Sequence, residues 1–188
     1  MGVSNTRRCW NMFQLPESVE SACNVGCCGI DGCVSTLVGA SLVNPDRLCY
    51  VVVGDLTFFY DLNSLGNHHI GTNLRVMLVN NGRGTEFRLG IHHCNVFGDD
   101  ADKYMAAAGH FGNKSPLLVK HYAEDLGFHY LSATTKEEVM TALSTFTNPQ
   151  LSDHSMILEV FTGSKDESEA LYLMSHIQSD AKGMVRSK

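Results

Sequence analysis

The run Leu48-Cys49-Tyr50-Val51-Val52-Val53 is apolar throughout and stops abruptly on Gly54-Asp55. A strand that is apolar at every position must be covered on both faces, and that is the habit of a central parallel strand packed between helices. A second such run, residues 74–79, stops on Asn80-Asn81-Gly82. These two strands most constrain what the chain can fold into, and both end on polar, oxygen-bearing side chains.

The rest of the chain alternates in the same way. Strands are expected at residues 19–23, 128–132 and 156–161. A buried helix is expected at 30–43, with Ile30, Val34, Leu37, Val38 and Leu42 at helical spacing and Asn44-Pro45 as its stop. Further helices are expected at 56–65, 100–109, 116–127 and 166–178, and at 135–146, where Thr135 and Glu138 make a capping box. Strand–helix alternation of this kind predicts an α/β fold: a three-layer sandwich with an open, mostly parallel sheet of about six strands and helices on both faces. One domain over residues 1–178 with a loose tail at 179–188 accommodates the length. Ligands of such folds sit at the carboxyl ends of the strands.

Composition excludes several functions. A net charge of −6 disfavours nucleic acid as a partner, because phosphates select basic surfaces. No apolar run reaches membrane-spanning length, and the basic residues near the start are not followed by a signal region, so a cytoplasmic protein with no membrane partner is expected. Seven cysteines without a secretory signal read as reduced thiols. The cluster Cys23, Cys27, Cys28, Cys33 lacks the Cys-x-x-Cys pairs of zinc and iron–sulfur sites.

If the two central strands are neighbours, the Asp55 carboxylate and the Asn80-Asn81 amides converge on one point. A few hard oxygen ligands suit Mg2+ that keeps other positions for phosphate oxygens. Gly54 leaves room for close approach, Thr57 adds a hydroxyl, and Gly82-Arg83-Gly84 makes a second permissive loop. Taken singly, Asp55 reads as a helix cap and Asn80-Asn81 as a turn; together, each after a buried strand, they read as a metal-bridged diphosphate anchor. The nucleotide-binding loops Gly-x-x-x-x-Gly-Lys-Ser/Thr and Gly-x-Gly-x-x-Gly are not in evidence.

Gly54-Asp55, some two dozen residues, then Asn80-Asn81 resembles the signature of thiamine-diphosphate-dependent enzymes. Gly29-Ile30-Asp31-Gly32 with Ser35-Thr36, and Tyr60-Asp61-Leu62-Asn63, extend the likeness to the diphosphate-binding domain of 2-succinyl-5-enolpyruvyl-6-hydroxy-3-cyclohexene-1-carboxylate synthases of menaquinone biosynthesis, over roughly residues 4–161. The resemblance implies that Asp55 and Asn81 bind Mg2+ through side chains and Arg83 through its carbonyl. It implies diphosphate contacts from Gly54, Leu56 and Thr57, and a bulky Ile30 that bends the cofactor, with the Gly29 carbonyl accepting from its pyrimidine amine. Asp31, Gly84, Thr85, Glu86 and Phe87 complete the implied cofactor set. The implied substrate is a small 2-oxo acid, to be decarboxylated or ligated.

Two departures qualify the resemblance. The menaquinone enzymes have Asn-Arg-Gly where this chain has Asn24-Val25-Gly26, which argues for a different acidic substrate. Arg8, four residues after Ser4, matches the family's Ser-x-x-x-Arg, and Arg88, His92 and His93 are further candidate substrate contacts. The family also has three domains, and the glutamate that activates the cofactor belongs to its pyrimidine-binding domain. The chain is therefore expected to need a pyrimidine-binding domain or subunit, to work as a dimer or higher assembly, and to be inactive by itself. Two alternatives stay open: the diphosphate subunit of a two-subunit decarboxylase of the sulfopyruvate or phosphonopyruvate type, and a non-enzymatic flavodoxin-like binding module.

Overall fold

The computed structural model describes residues 1–26, 29–90, 92–105, 115–150 and 152–186. Among these, four strands form one wholly parallel sheet: β1 (Cys49–Gly54), β2 (Leu74–Asn80), β3 (His129–Ala133) and β4 (Met156–Phe161), in the order β1-β2-β4-β3. The α/β class and the parallel sheet are as expected, but the sheet has four strands rather than about six. Residues 19–23 do not form the strand anticipated there. Val19, Glu20, Ser21 and Ala22 are exposed, and without a face to bury they gain nothing from joining the sheet. The segment instead lies against the first residues of the chain: the amino terminus donates to the Ala22 carbonyl at 2.9 Å, and Gly2 N in turn donates to Val52 O of β1 at 2.7 Å.

Seven α-helices among the described residues surround the sheet: α1 (Asn5–Trp10), α2 (Cys33–Val43), α3 (Asp55–Tyr60), α4 (Ala101–Tyr104), α5 (Leu118–Asp125), α6 (Lys136–Phe146) and α7 (Ser164–Arg186). Of the helix expected at 100–109, only the stretch up to residue 105 falls among the described residues. Side chains alternate across the sheet, so two apolar clusters form. On one face Val51, Val53, Leu74, Val76, Leu78 and Ile157 pack with Val34 and Val38 of α2, Phe58 of α3, and Val119 and Ala123 of α5. On the other, Met156, Leu158 and Val160 pack with Ala142 and Phe146 of α6. This is the three-layer sandwich. The predicted capping box closes α6: Thr135 accepts from Glu138 N, and the Glu138 side chain accepts from Thr135 N. Among the described residues no helix is long and apolar enough to cross a membrane.

Two helix boundaries differ from expectation in ways that shape the site. The helix expected from residue 30 starts at Cys33, because Gly32 sits at φ 76° and takes the chain out of the helical region. Ile30 and Asp31 are thereby left in a loop. The helix expected over 56–65 breaks after Tyr60 into a separate 3-10 turn, Leu62–Gly66. At the break, the Asp61 carboxylate accepts from Ser35 N at 2.6 Å and Ser35 Oγ at 3.0 Å. It thus caps the first turn of α2, whose own preceding residue makes no side-chain cap.

Candidate functional site

β1 and β2 are direct neighbours, with Gly54 opposite Val79. Asp55, the first residue of α3, therefore stands beside the Asn80-Asn81 end of β2. At that carboxyl end of the sheet lies a cavity of about 980 Å³, large enough for a cofactor-sized molecule. A smaller hollow of about 460 Å³ lies at the opposite end, near the first residues of β2, β3 and β4.

Gly29, Ile30, Asp31, Gly54, Asp55, Leu56, Thr57, Asn81, Arg83, Gly84, Glu86 and Phe87 all line the larger cavity. Thr85 does not: it is buried, with Oγ1 2.9 Å from Ser164 Oγ. Gly54 has an ordinary extended backbone (φ −79°), and a Cβ there would meet nothing within 4 Å. Glycine at this position is thus required neither by strain nor by protein packing; it keeps open space on the cavity wall.

The polar end of the cavity is tightly ordered. Asp55 is 2% exposed, and its carboxylate accepts from Leu56 N at 2.9 Å. Asn80 and Asn81 make consecutive side-chain turns, their Oδ1 atoms accepting from Gly82 N at 3.2 Å and Arg83 N at 3.1 Å. Gly82, at φ 80°, permits the reversal. Each asparagine amide also donates to a glutamate. Asn80 Nδ2 bonds Glu159 Oε1 at 2.7 Å, and Asn81 Nδ2 bonds Glu167 Oε2 at 2.5 Å. Carboxylate, amide oxygen and the carbonyls of a glycine-rich turn are a hard-oxygen set that fits Mg2+. Among the described residues there is no group of three or more His, Cys, Asp or Glu placed to hold a metal. Cys27 and Cys28 of the cysteine cluster lie outside the described residues.

Sequence reasoning missed both glutamates. Glu159 is almost completely buried in β4 and is held also by Tyr130 OH at 2.6 Å. Burial pushes its carboxyl above the ordinary range; the bonds from Tyr130 and Asn80 oppose that shift, and the negative Asp55 reinforces it. The same burial, with the Glu159 carboxylate beside it, drives the Tyr130 hydroxyl well above its usual value. A charged residue inside the apolar run Met156-Ile157-Leu158-Glu159-Val160 was a signal that could have found it. Glu167 had no such mark, standing between Asp166 and Glu169 in an acidic stretch.

The candidate substrate contacts lie apart from the cavity wall. Arg8 is half-buried in an ion pair with Glu86 at 2.6 Å and donates to Asn5 Oδ1 at 3.2 Å. Burial alone would raise the Glu86 carboxyl, but hydrogen bonds from Ser4 and Arg8 and the positive charge of Arg8 outweigh it and hold the group below its usual value. Arg88 pairs with Asp102 and donates to Gly98 O. His92 accepts from Cys94 N at 3.1 Å and meets Phe87 edge-on, while His93 is exposed. Arg7 of α1 does line the cavity, with Trp10 one turn further along the helix. Arg7 has no ion-pair partner among the described residues, and its Nε is buried without a hydrogen bond.

No family model matches the chain. Curated relatives do. The 2-succinyl-5-enolpyruvyl-6-hydroxy-3-cyclohexene-1-carboxylate synthase of Bacteroides fragilis is 35% identical over 168 residues, which takes in 89% of this chain and 29% of that protein. The synthase of the same name from Bacteroides thetaiotaomicron is 34% identical over the same shares. That of Christiangramia forsetii is 35% identical over 170 residues, 90% of this chain and 28% of that protein. The chain thus spans less than a third of the length of these relatives, a domain-sized share that agrees with the single sheet seen here. Over nearly all of its length, this chain is a homologue of one domain-sized part of the 2-succinyl-5-enolpyruvyl-6-hydroxy-3-cyclohexene-1-carboxylate synthases.

Proposed function

We propose that the chain is the thiamine-diphosphate- and Mg2+-anchoring domain of a cytoplasmic 2-oxo acid decarboxylase or carboligase. The observation that carries this reading is the juxtaposition of buried Asp55 with Asn81, at the ends of adjacent parallel strands, on the wall of a cavity of cofactor size. Asp55, the Asn81 amide oxygen and the Arg83 carbonyl would hold Mg2+. Backbone N–H groups at the start of α3 and the Thr57 hydroxyl would meet the diphosphate. Ile30, Leu56 and Phe87 give the cavity apolar wall against which a ring system packs. Bound thiamine diphosphate would supply the carbanion chemistry on a 2-oxo acid.

Arg7 supports an acidic substrate. A guanidinium on the cavity wall with no ion pair among the described residues is open to a substrate carboxylate, whereas Arg8 is already neutralised by Glu86. The acid–base group that activates the cofactor would come from a pyrimidine-binding domain or subunit, so turnover needs that partner and an assembly of at least two such units.

Titration calorimetry of thiamine diphosphate into the chain, with Mg2+ and then with EDTA, tests the anchor. Wild type is expected to show Mg2+-dependent binding and Asp55→Ala none. Equal binding by the two proteins would refute the reading.

A further inference from the structure

The two asparagines at the end of β2 each present an oxygen and an NH2 group of nearly the same shape. A cation accepts only the oxygen. The groups at its two ends therefore decide whether the amide can serve a cation: Arg83 N donates to the Asn81 oxygen at 3.1 Å, and at the NH2 end a carboxylate accepts without donating. Glu167 is such a group, in the first turn of α7 and on the cavity wall. Both its oxygens are engaged: Oε2 by Asn81 Nδ2 at 2.5 Å and Oε1 by Asn5 Nδ2 at 2.8 Å.

The far end of this chain of bonds is also fixed. Asn5 Oδ1 accepts from Arg8 at 3.2 Å, so Asn5 cannot turn its amide over without setting NH2 against a guanidinium. Arg8 is in turn held by Glu86 at 2.6 Å. Glu86, Arg8, Asn5, Glu167 and Asn81 thus form one directed relay, in which every donor and acceptor is determined by its neighbour.

We propose that Glu167 is a positioning residue. It dictates the orientation of the Asn81 amide and so aims its oxygen at the cation, with Asn5 and Arg8 holding Glu167 in the orientation that does this. In this role Glu167 acts through Asn81, each of its oxygens accepting from an amide. The proposal rests on the reading of Asp55 and Asn81 as a Mg2+ site, and it adds the group that makes Asn81 competent.

The test exploits the relay's polarity. Glu167→Gln keeps size and shape but has a single acceptor for two NH2 donors, so one asparagine must turn over or lose its partner. Asn5 is restrained by the charged Arg8 and Asn81 only by the neutral Arg83 N–H, so the disorder falls mainly on Asn81. In calorimetric titrations of thiamine diphosphate with Mg2+, the variant is expected to bind about 10–100-fold more weakly, the usual consequence of removing a group that orients a metal ligand. Weak binding in EDTA should be unchanged. The double variant Asn5→Asp/Glu167→Gln restores the polarity. The carboxylate introduced at position 5 can accept from both Arg8 and the new amide, which leaves the amide oxygen at position 167 for Asn81. The double variant is expected to recover most of the Mg2+-dependent affinity.

If Glu167→Gln binds as tightly as wild type, the proposal fails. If the single variant is weak and the double variant equally weak, Glu167 acts as a ligand or a fold support, and the orienting role is overturned. If wild type itself shows no Mg2+-dependent binding, the anchor reading fails and this inference falls with it, an outcome distinct from the other two.

Discussion

Asp55 and Asn81 show how little a residue's number of contacts says about its visibility in a sequence. Both stand directly after buried strands, in a spacing that only adjacent parallel strands turn into a site, so both were legible. Glu159 and Glu167 accept from Asn80 and Asn81, yet they come from β4 and α7, across 79 and 86 residues of chain. Pairings that distant are made by tertiary packing and leave no local pattern. Arg7 and Arg8 were separable only in three dimensions, since adjacent residues on a helix point in different directions. The ion pair that distinguishes them carries its own signature. Glu86 titrates lower in the folded chain than in the unfolded one, so between the folded value and the ordinary value near 4.5 the unfolded chain binds more protons. The stability that Glu86 contributes is therefore complete above that ordinary value and fades as the pH falls through the folded one. Denaturant midpoints for wild type and Glu86→Gln should differ by up to about 1 kcal/mol at neutral pH and converge in acid, the magnitude being limited by the partial exposure of the pair.

At the scale of the elements, the periodic apolar patterns located β1, β2, β4, α2 and α6 closely, and errors gathered where a single polar interaction overrode the pattern. α2 starts late because Gly32 breaks it, which leaves Ile30 and Asp31 on the cavity wall. The helix after Asp55 breaks because Asp61 turns to cap α2 through Ser35. Residues 19–23 were expected as a short strand, but a strand forms there only where one face is buried, and residues 19–22 are exposed. The cross-element cap is open to measurement. Asp61→Ala should cost about 1–2 kcal/mol, in the range of other lost N-caps, because the first-turn N–H of α2 is left without its acceptor. Urea midpoints would give the cost. Amide exchange should quicken in the first turn of α2 while β2 and β4 stay protected; an unchanged midpoint would show that water replaces the carboxylate at no cost.

In the whole molecule, the two apolar clusters that hold the sheet draw on α2, α3, α5 and α6 and, among the described residues, take nothing from α7. The last helix contributes instead at the site, through Asp166, Glu167 and Ala170 on the cavity wall. A chain ending at Gly163 is therefore expected to unfold cooperatively, with a modestly lower midpoint from the loss of buried Leu171, yet to lose the Mg2+-dependent part of thiamine diphosphate binding. Circular dichroism melts with and without the ligand would separate the two effects. A truncated chain that still gained thermal stability from Mg2+ and thiamine diphosphate would show that α7 is dispensable to the site.

Glu167 joins Asn81 to Asn5, which lies 162 residues before it. During synthesis, β1, β2 and their oxygen-bearing ends leave the ribosome long before the carboxylate that orients them. If Glu167 aims Asn81 as proposed, a nascent chain carries Asp55 and Asn81 without the means to aim them, and metal capture would wait until α7 has emerged and folded back. On the proposed reading the site would become competent only when α1 and α7 are both in place, so affinity for the cation would report that these two helices have met.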